Sequence, residues 1–147
     1  MGFDKFGRKS FTGVTKTAKF VDLLGEGKIE GTVCKQCGAK YFPPRSDCSA
    51  CLSKEMDWFD MPKKGTLETF TIAYYAPFGF EKDCPYTMGV VDFGDGLKLF
   101  ARLSKDIAPD AAKVGMDVSV QSMQYDDGQL SFEHVYLVDD ASPRPCS

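Results

Sequence analysis

The spacing of apolar residues changes along the chain, and the change comes near Trp58. Between residues 14 and 29, apolar side chains recur at the spacing of one helix face, and two glycines follow them. After Trp58, apolar and polar residues alternate with a period of two, which is typical of half-buried strands. The pattern therefore predicts a short helix, with Thr15 or Thr17 as its cap, followed by a β-rich body.

The alternating part of the chain divides into five predicted strands. They cover residues 65–75, 86–93, 97–103, 117–125 and 130–138. Between the third and the fourth, the segment that begins at Ser104, contains Pro109 and ends at Gly115 predicts one or two helical turns. Three strands, a short helix and two strands is the order of an OB-fold, a five-stranded Greek-key barrel. A sandwich fragment or an SH3-like barrel gives a similar order, so both alternatives stay open on the pattern alone.

Four cysteines form two Cys-x-x-Cys pairs within "CKQCGAKYFPPRSDCSAC", residues 34–51. Each pair can direct two sulfurs at one ion from a tight turn, and structural Zn²⁺ takes four such thiolates as a tetrahedron. The predicted ligands are Cys34, Cys37, Cys48 and Cys51. Folding of residues 30–58 should depend on the metal, because so short a segment cannot build a hydrophobic core of its own.

Other uses of four clustered cysteines fit this segment less well. Rubredoxin-type iron takes the same ligands, and spacing alone leaves it open. A thioredoxin-like pair would open a helix after a strand, which a segment rich in Gly and Pro does not provide. A catalytic zinc keeps one position open, whereas four cysteines fill all of them. No secretion signal precedes the cysteines, so we expect a cytoplasmic protein in which they bind metal and do not form disulfides.

Outside the cysteine cluster, the sequence offers no convincing catalytic group. His134 is the single histidine and lies in an alternating strand, while Cys84 precedes a proline with no histidine close in sequence. Cys146 is next to last, and the paired aspartates fall in predicted hairpin turns, where Asp stabilises the backbone. We therefore predict no catalytic residue and favour a binding or assembly role. The aromatic link between the first two predicted strands either anchors an interface or covers the end of the barrel.

The charge distribution argues against a nucleic-acid partner. Residues 1–80 hold 12 Lys or Arg against 9 Asp or Glu, whereas residues 81–147 hold 6 against 12. An OB-fold that binds single strands combines aromatic side chains with a basic groove, and the part of the chain that forms most of the barrel is acidic. A nucleic-acid-binding zinc-ribbon and OB module is kept as the alternative function. No apolar run is long enough for a membrane span.

The order of motifs resembles one known family. A helix is followed by "CxxCGxxxFPPRxxCxxC", "GTLETFT", "PYTMGVVDF", "GLKLFARL" and "VGMDVSV", from about Phe20 to His134. This order is similar to that of zinc-ribbon plus OB-fold acyl-CoA-associated proteins, small partners of thiolases and related condensing enzymes. The resemblance implies a non-catalytic subunit that binds a thiolase-fold catalytic subunit and acyl-CoA, as a hetero-oligomer around a thiolase dimer.

The predicted fold class is mainly β, with an N-terminal helix, a rubredoxin-like zinc ribbon and a C-terminal five-stranded OB-fold barrel. The predicted division is an arm and helix (1–30), a zinc ribbon (31–60), an OB-fold domain (61–140) and a tail (141–147). Coenzyme A carries phosphates and an adenine, so Lys40 and Arg45, with Tyr41 and Phe42 beside them, are candidates to contact it. Ordinary ribbon surface is the alternative for these four residues.

Overall fold

Two compact units make up the protein in a computed structural model. The structure describes residues 15–78, 81–122 and 136–139, the last four as backbone only. Among these, the first unit contains residues up to 62 together with Ser122, and the second contains the rest. The predicted N-terminal arm, the C-terminal tail, the turn at 126–128, His134 and Cys146 lie outside the described residues.

One helix and eight strands are assigned among the described residues. In chain order they are α1 (Lys19–Gly25), β1 (Glu30–Cys34), β2 (Lys40–Tyr41), β3 (Met56–Asp60), β4 (Lys64–Ala73), β5 (Tyr86–Asp92), β6 (Lys98–Arg102), β7 (Asp117–Gln121) and β8 (Tyr136–Asp139). A short 3₁₀ turn, Glu81–Asp83, precedes β5. This composition confirms the prediction of a mainly β protein with one short helix.

Helix α1 is shorter than the helical pattern predicted, but it buries the predicted face. Its seven residues include four buried apolar side chains, Phe20, Val21, Leu23 and Leu24. Ala18 is the N-cap, and no side chain caps the helix. The hydroxyl of Thr15 accepts a long hydrogen bond of 3.4 Å from the amide of Thr17, one turn before the helix. The prediction of Thr15 or Thr17 as the cap is therefore wrong, because a separate turn at 16–18 comes first.

The first unit is built on a three-stranded antiparallel sheet in the order β2-β1-β3. Thr32, in the central strand, pairs with Tyr41 on one side and with Trp58 on the other. Beside it, a Cβ at Gly31 would lie 2.6 Å from the carbonyl oxygen of Tyr41 and 2.9 Å from the ring of Phe59. Glycine is therefore required at position 31 for the strands to approach as closely as they do.

The second unit is a five-stranded antiparallel sheet in the order β6-β5-β4-β7-β8. β4 is its longest strand, and a bulge after Leu67 shifts its register against β5. The predicted inward face of the third strand is confirmed, since its members are all buried: Leu97, Leu99, Ala101 and Leu103. Within the described residues, β6 and β8 are the edges of the sheet and share no ladder. Closure into a five-stranded barrel therefore stays a prediction.

The segment between β6 and β7 forms turns and not the predicted helical turns. The amide of Ile107 donates to the carbonyl of Ser104 at 3.1 Å, and that of Ala111 donates to Ala108 at 2.8 Å. Pro109 is the second residue of the second turn and has no amide hydrogen to donate back to the first turn, so the bonds do not continue into a helix. The helix prediction is wrong here, although Ile107 is still buried. Across the part of the chain that the structure describes, no helix is long and apolar enough to span a membrane.

Candidate metal centre

Four cysteine sulfurs converge within the first unit. The Sγ atoms of Cys34, Cys37, Cys48 and Cys51 all lie within 4.8 Å of one another. Two of the separations, Cys34 to Cys51 and Cys37 to Cys48, are 3.5 Å and join one Cys-x-x-Cys pair to the other. A tetrahedron with Zn–S bonds of about 2.3 Å separates its sulfurs by roughly 3.8 Å. The four side chains can therefore hold one tetrahedral Zn²⁺.

The two Cys-x-x-Cys turns have the same backbone hydrogen bond. The amide of Gly38 donates to the carbonyl of Cys34 at 2.9 Å, and the amide of Leu52 donates to the carbonyl of Cys48 at 3.0 Å. Both residues have a positive φ, 74° for Gly38 and 61° for Leu52. The sequence indicated the first of these turns through its glycine. It gave no such signal for Leu52, because leucine is not a residue that favours this conformation.

The two buried cysteines are surrounded by hydrogen-bond donors. The backbone amide of Cys37 is the main cause that lowers the pKa of Cys34. The hydroxyl of Tyr41 is the main cause that lowers the pKa of Cys48 to about 6, and the backbone amide of Cys51 acts in the same direction. Hydrogen bonds to sulfur favour the thiolate form, which is the form that binds metal.

The pKa values of the two exposed cysteines, Cys37 and Cys51, shift in the opposite direction. The amide of Ser53 lowers the pKa of Cys51, but the neighbouring Cys34 thiol and partial burial outweigh it and raise that pKa to about 12. The pKa of Cys37 is also raised, because the Cys48 thiol and burial outweigh the amide of Ala39. A bound dication deprotonates coordinating thiols outright. Four thiols this close together are therefore suited to a metal ion, which removes the repulsion among thiolates.

A chain of contacts leads from the ribbon sheet to Cys48. The hydroxyl of Tyr41 lies 3.2 Å from Cys48 Sγ, and Ser49 Oγ donates to that hydroxyl at 3.2 Å. The guanidinium of Arg45 lies 5.1 Å from the centre of the Tyr41 ring. The buried hydroxyl of Thr32 accepts from the amide of Arg45 at 2.9 Å and donates to its carbonyl at 3.1 Å. Thr32 thus fixes the backbone of Arg45, whose side chain covers Tyr41.

The four candidate coenzyme A residues are divided among three places in the ribbon. Tyr41 and Arg45 are stacked on one another beside the cysteines. The ammonium of Lys40 lies 5.5 Å from the ring centre of Phe59. Phe42 packs edge-on against Phe20 of α1, with 6.1 Å between ring centres. The structure therefore brings together Tyr41 and Arg45, and contact of any of the four with coenzyme A stays a prediction.

Among the described side chains of the second unit, the most exposed aromatic ones lie in the link between β4 and β5. Tyr75 is 90% exposed and Phe78 is 91% exposed. Its later part is held by Asp83, which accepts from Arg102 at 3.2 Å and lies 3.5 Å from the ammonium of Lys105. Sequence reasoning missed this pair, because nothing local connects residues that are 19 positions apart.

Cys84, the remaining described cysteine, lies in the same link. It is half-buried at a cavity of about 290 Å³, with Ser104 and Lys105 also in the lining. No histidine occurs among the residues that the structure describes. Within that part of the chain, Cys84 therefore has no imidazole to activate it.

Known protein families match both units. Residues 21–57 match the rubredoxin-like zinc ribbon domain of ChsH2, and residues 58–121 match its C-terminal OB-fold domain. The fold and the cysteine cluster thus define a two-domain protein of zinc ribbon and OB-fold. The chain belongs to the ChsH2 family, in which these domains carry the designation DUF35. The predicted resemblance is confirmed, and the family description supports zinc as the structural metal.

Curated relatives of the chain include archaeal and bacterial proteins. It is 29% identical over 111 residues to a DUF35 domain-containing scaffold protein of Methanocaldococcus jannaschii, which covers 72% of this chain and 78% of the relative. A scaffold protein of the same description from Pyrococcus furiosus is 33% identical over 93 residues, or 63% of this chain and 67% of the relative. The benzoylsuccinyl-CoA thiolase subunit BbsA of Thauera aromatica is 31% identical over 75 residues, which is 51% of each chain.

Two solved structures share the fold. The Ltp2-ChsH2(DUF35) aldolase superposes with a TM-score of 0.68 at 22% identity, covering 81% of this chain and 93% of the other. The crystal structure of a DUF35-family protein of unknown function from Sulfolobus solfataricus superposes with a TM-score of 0.56 at 21% identity, covering 86% of this chain and 87% of the other. These likenesses extend through both units.

Proposed function

We propose that this protein is a non-catalytic, zinc-binding subunit of a thiolase-type acyl-CoA complex. The observation that carries the proposal is the match of residues 21–121 to the two ChsH2 domains, in a family whose members here include a benzoylsuccinyl-CoA thiolase subunit and archaeal scaffold proteins. Such a subunit holds the complex together and helps to hold coenzyme A thioesters. Benzoylsuccinyl-CoA thiolase of anaerobic toluene degradation is one candidate for the complex.

The four cysteines are assigned to a structural Zn²⁺. Cys34 and Cys48 are buried, and their sulfurs lie close to those of the exposed Cys37 and Cys51. Four thiolates complete the coordination of the ion, so it has no open position for substrate or water. The metal therefore stabilises the ribbon and takes no part in bond chemistry.

Bond chemistry in the proposed complex belongs to the partner. A thiolase needs a nucleophilic cysteine that a histidine activates, and this chain has a single histidine in its sequence. The partner subunit would supply both groups. The contribution of this chain is then measured as complex stability and thioester binding, and not as turnover by the chain alone.

Two surfaces support the proposal of a partner and a shared ligand. In the second unit, Tyr75 and Phe78 are exposed aromatic side chains of the kind that anchor protein interfaces. In the ribbon, the exposed cations of Lys40 and Arg45 are of the right charge for coenzyme A phosphates. We further infer that β4 to β8 close into the OB-fold barrel of residues 61–140.

The test is recovery of the tagged protein from its native cell extract, followed by a salt wash and mass spectrometry. The proposal predicts a thiolase-fold protein in about equal amount. A Tyr75→Ser, Phe78→Ser double variant should recover less of it, whereas a Phe100→Ser variant, at another exposed aromatic position of the same unit, should not. Recovery of the protein alone contradicts the proposal, and recovery with nucleic acid favours the alternative function.

A further inference from the structure

We infer that Tyr41 is a positioning residue of the metal centre: its hydroxyl donates a hydrogen bond to the Cys48 thiolate and sets how tightly the ribbon holds its metal. This inference rests on the four proposed cysteine ligands. It does not depend on the partner or on coenzyme A.

The direction of the hydrogen bond follows from the groups around the phenol. Tyr41 Oη lies 3.2 Å from Cys48 Sγ and accepts a hydrogen bond from Ser49 Oγ at 3.2 Å. A tyrosine hydroxyl has one hydrogen to donate, and a thiolate can only accept. With Ser49 acting as the donor on one side, the hydrogen of Tyr41 is free to point at the sulfur on the other.

Burial makes this hydrogen bond hard to replace. Cys48 is 1% exposed, so water has little access to its sulfur. A buried acceptor that loses its donor destabilises the structure, and it does so more strongly when it is charged. Partners that hydrogen-bond to a metal ligand typically change metal affinity by about 10- to 100-fold when they are removed. The hydroxyl of Tyr41 is in the position of such a partner.

The remainder of the ribbon holds the phenol in place. The guanidinium of Arg45 lies on the Tyr41 ring, and the buried Thr32 hydroxyl bonds to both backbone polar groups of Arg45. Tyr41 itself is paired with Thr32 in the sheet. Tyr41 is thus held by its strand pairing, by the stacked Arg45 cation and by the hydroxyl of Ser49, which is the arrangement expected of a group that orients a metal ligand. The same contacts give Tyr41 a role apart from its predicted contact with coenzyme A.

The test compares Tyr41→Phe with the parent protein in the full chain, using Zn²⁺ and Co²⁺ as the probes. Tyr41→Phe keeps the ring and removes only the hydroxyl. Tyr75→Phe is the matched control, because it makes the same chemical change at a tyrosine that is 90% exposed in the other unit. Zinc affinity is measured by competition with a chelator, and the Co²⁺ form is followed by its sulfur-to-metal charge-transfer absorption.

The expected result for Tyr41→Phe is zinc affinity about 10- to 100-fold lower, with charge-transfer absorption at lower energy. The energy falls because a sulfur without its hydrogen bond holds its electrons less tightly. Tyr75→Phe should match the parent in both readouts, and Ser49→Ala should shift both in the direction of Tyr41→Phe by a smaller amount. If Tyr41→Phe does not fold even at saturating zinc, Ser49→Ala decides the question alone. Parent-like affinity and absorption in the deciding variant overturn the inference, whereas a parent protein that binds no zinc overturns the ligand assignment itself.

Discussion

Leu52 occupies in the second cysteine turn the position that Gly38 occupies in the first. Each amide donates a hydrogen bond to the carbonyl of the first cysteine of its pair, at 3.0 Å for Leu52 and 2.9 Å for Gly38. Both residues have a positive φ, in the left-handed region. Glycine adopts this conformation without strain, whereas a residue with a Cβ does not. Leu52 is also 82% exposed, so burial does not compensate for the strain.

Replacing Leu52 by glycine should raise the free energy of unfolding of the zinc-loaded ribbon by about 0.5–1 kcal/mol. The strain relieved is about 1–2 kcal/mol, and the extra flexibility of glycine in the unfolded chain costs back about 0.5–1 kcal/mol. Denaturant unfolding at saturating zinc measures the difference. The reverse change, Gly38→Leu, should destabilise, because the backbone there is left-handed, with φ 74°, while a Cβ placed there meets no atom within 4 Å. A neutral result for Gly38→Leu contradicts this account.

Removing zinc should unfold the ribbon strands β1 to β3 and leave the second unit folded. The ribbon strands surround a cysteine cluster, whereas β4 to β6 have buried apolar residues such as Leu67 and Val91. Trp58 is the only tryptophan and lies in β3, so its fluorescence reports on the ribbon alone. A chelator should shift its emission and abolish amide protection in β1 to β3, while protection in β4 to β6 persists. Readdition of zinc is the control, and unchanged Trp58 emission after complete metal removal contradicts the prediction.

Thr32→Val should destabilise the ribbon by about 1–3 kcal/mol, because the amide of Arg45 loses its acceptor in a buried place. Valine keeps the shape and the β propensity of threonine, so packing changes little. Thr71→Val, at an exposed position of β4, is the matched control and should change stability by less than about 0.5 kcal/mol. Urea unfolding of the zinc-loaded proteins checks both, and equal stability of the two variants would falsify the proposed role of the hydroxyl.

Asp83 should make the free energy of unfolding of the second unit depend on pH in the acid range. Burial acts to raise its pKa, but the hydrogen bond and charge of Arg102, together with Lys105, outweigh burial and hold the pKa below the ordinary value of 3.8. The carboxylate therefore contributes stability that is fully present above about pH 3.8. This stability is lost as the pH falls through the lower pKa that Asp83 has in the folded protein.

Asp83→Asn tests this acid dependence. At neutral pH it should lower the free energy of unfolding of the second unit by about 1.5–3 kcal/mol, because Arg102 is 8% exposed and loses a charged partner. It should also reduce the fall in stability below pH 4. Glu68→Gln, in an exposed 2.7 Å pair with Lys98, is the control and should destabilise the second unit less than Asp83→Asn does, because solvent screens this pair. A pH profile of Asp83→Asn that follows the parent contradicts the prediction.

The sequence predicted those features that a local pattern encodes. The period of apolar residues located the buried face of α1 and the inward side of β6, and cysteine spacing located the metal cluster. The turns at 104–115 were misread because Ser104 and Gly115 resemble helix signals, whereas Pro109 interrupts the hydrogen bonds.

The contacts around the cluster and the aromatic link could not be predicted in this way. Tyr41 reaches Cys48 across seven positions, and Arg102 reaches Asp83 across 19. Both contacts depend on how strands pair and on where a loop returns, which apolar periodicity does not specify. Leu52 adopts a left-handed backbone conformation that leucine disfavours, so the sequence carries no signal for this turn geometry and only the structure shows it.

The central claim is that this chain serves a catalytic thiolase-fold partner, and reconstituted turnover tests it most directly. The partner recovered with the chain is purified alone, the chain is purified alone, and thiolytic cleavage of an acyl-CoA is measured for each and for an equimolar mixture. The account predicts no turnover by the chain, weak turnover by the partner, and a large gain in the mixture that saturates at a fixed ratio. A partner that is fully active without the chain, or a chain that turns over substrate by itself, contradicts it.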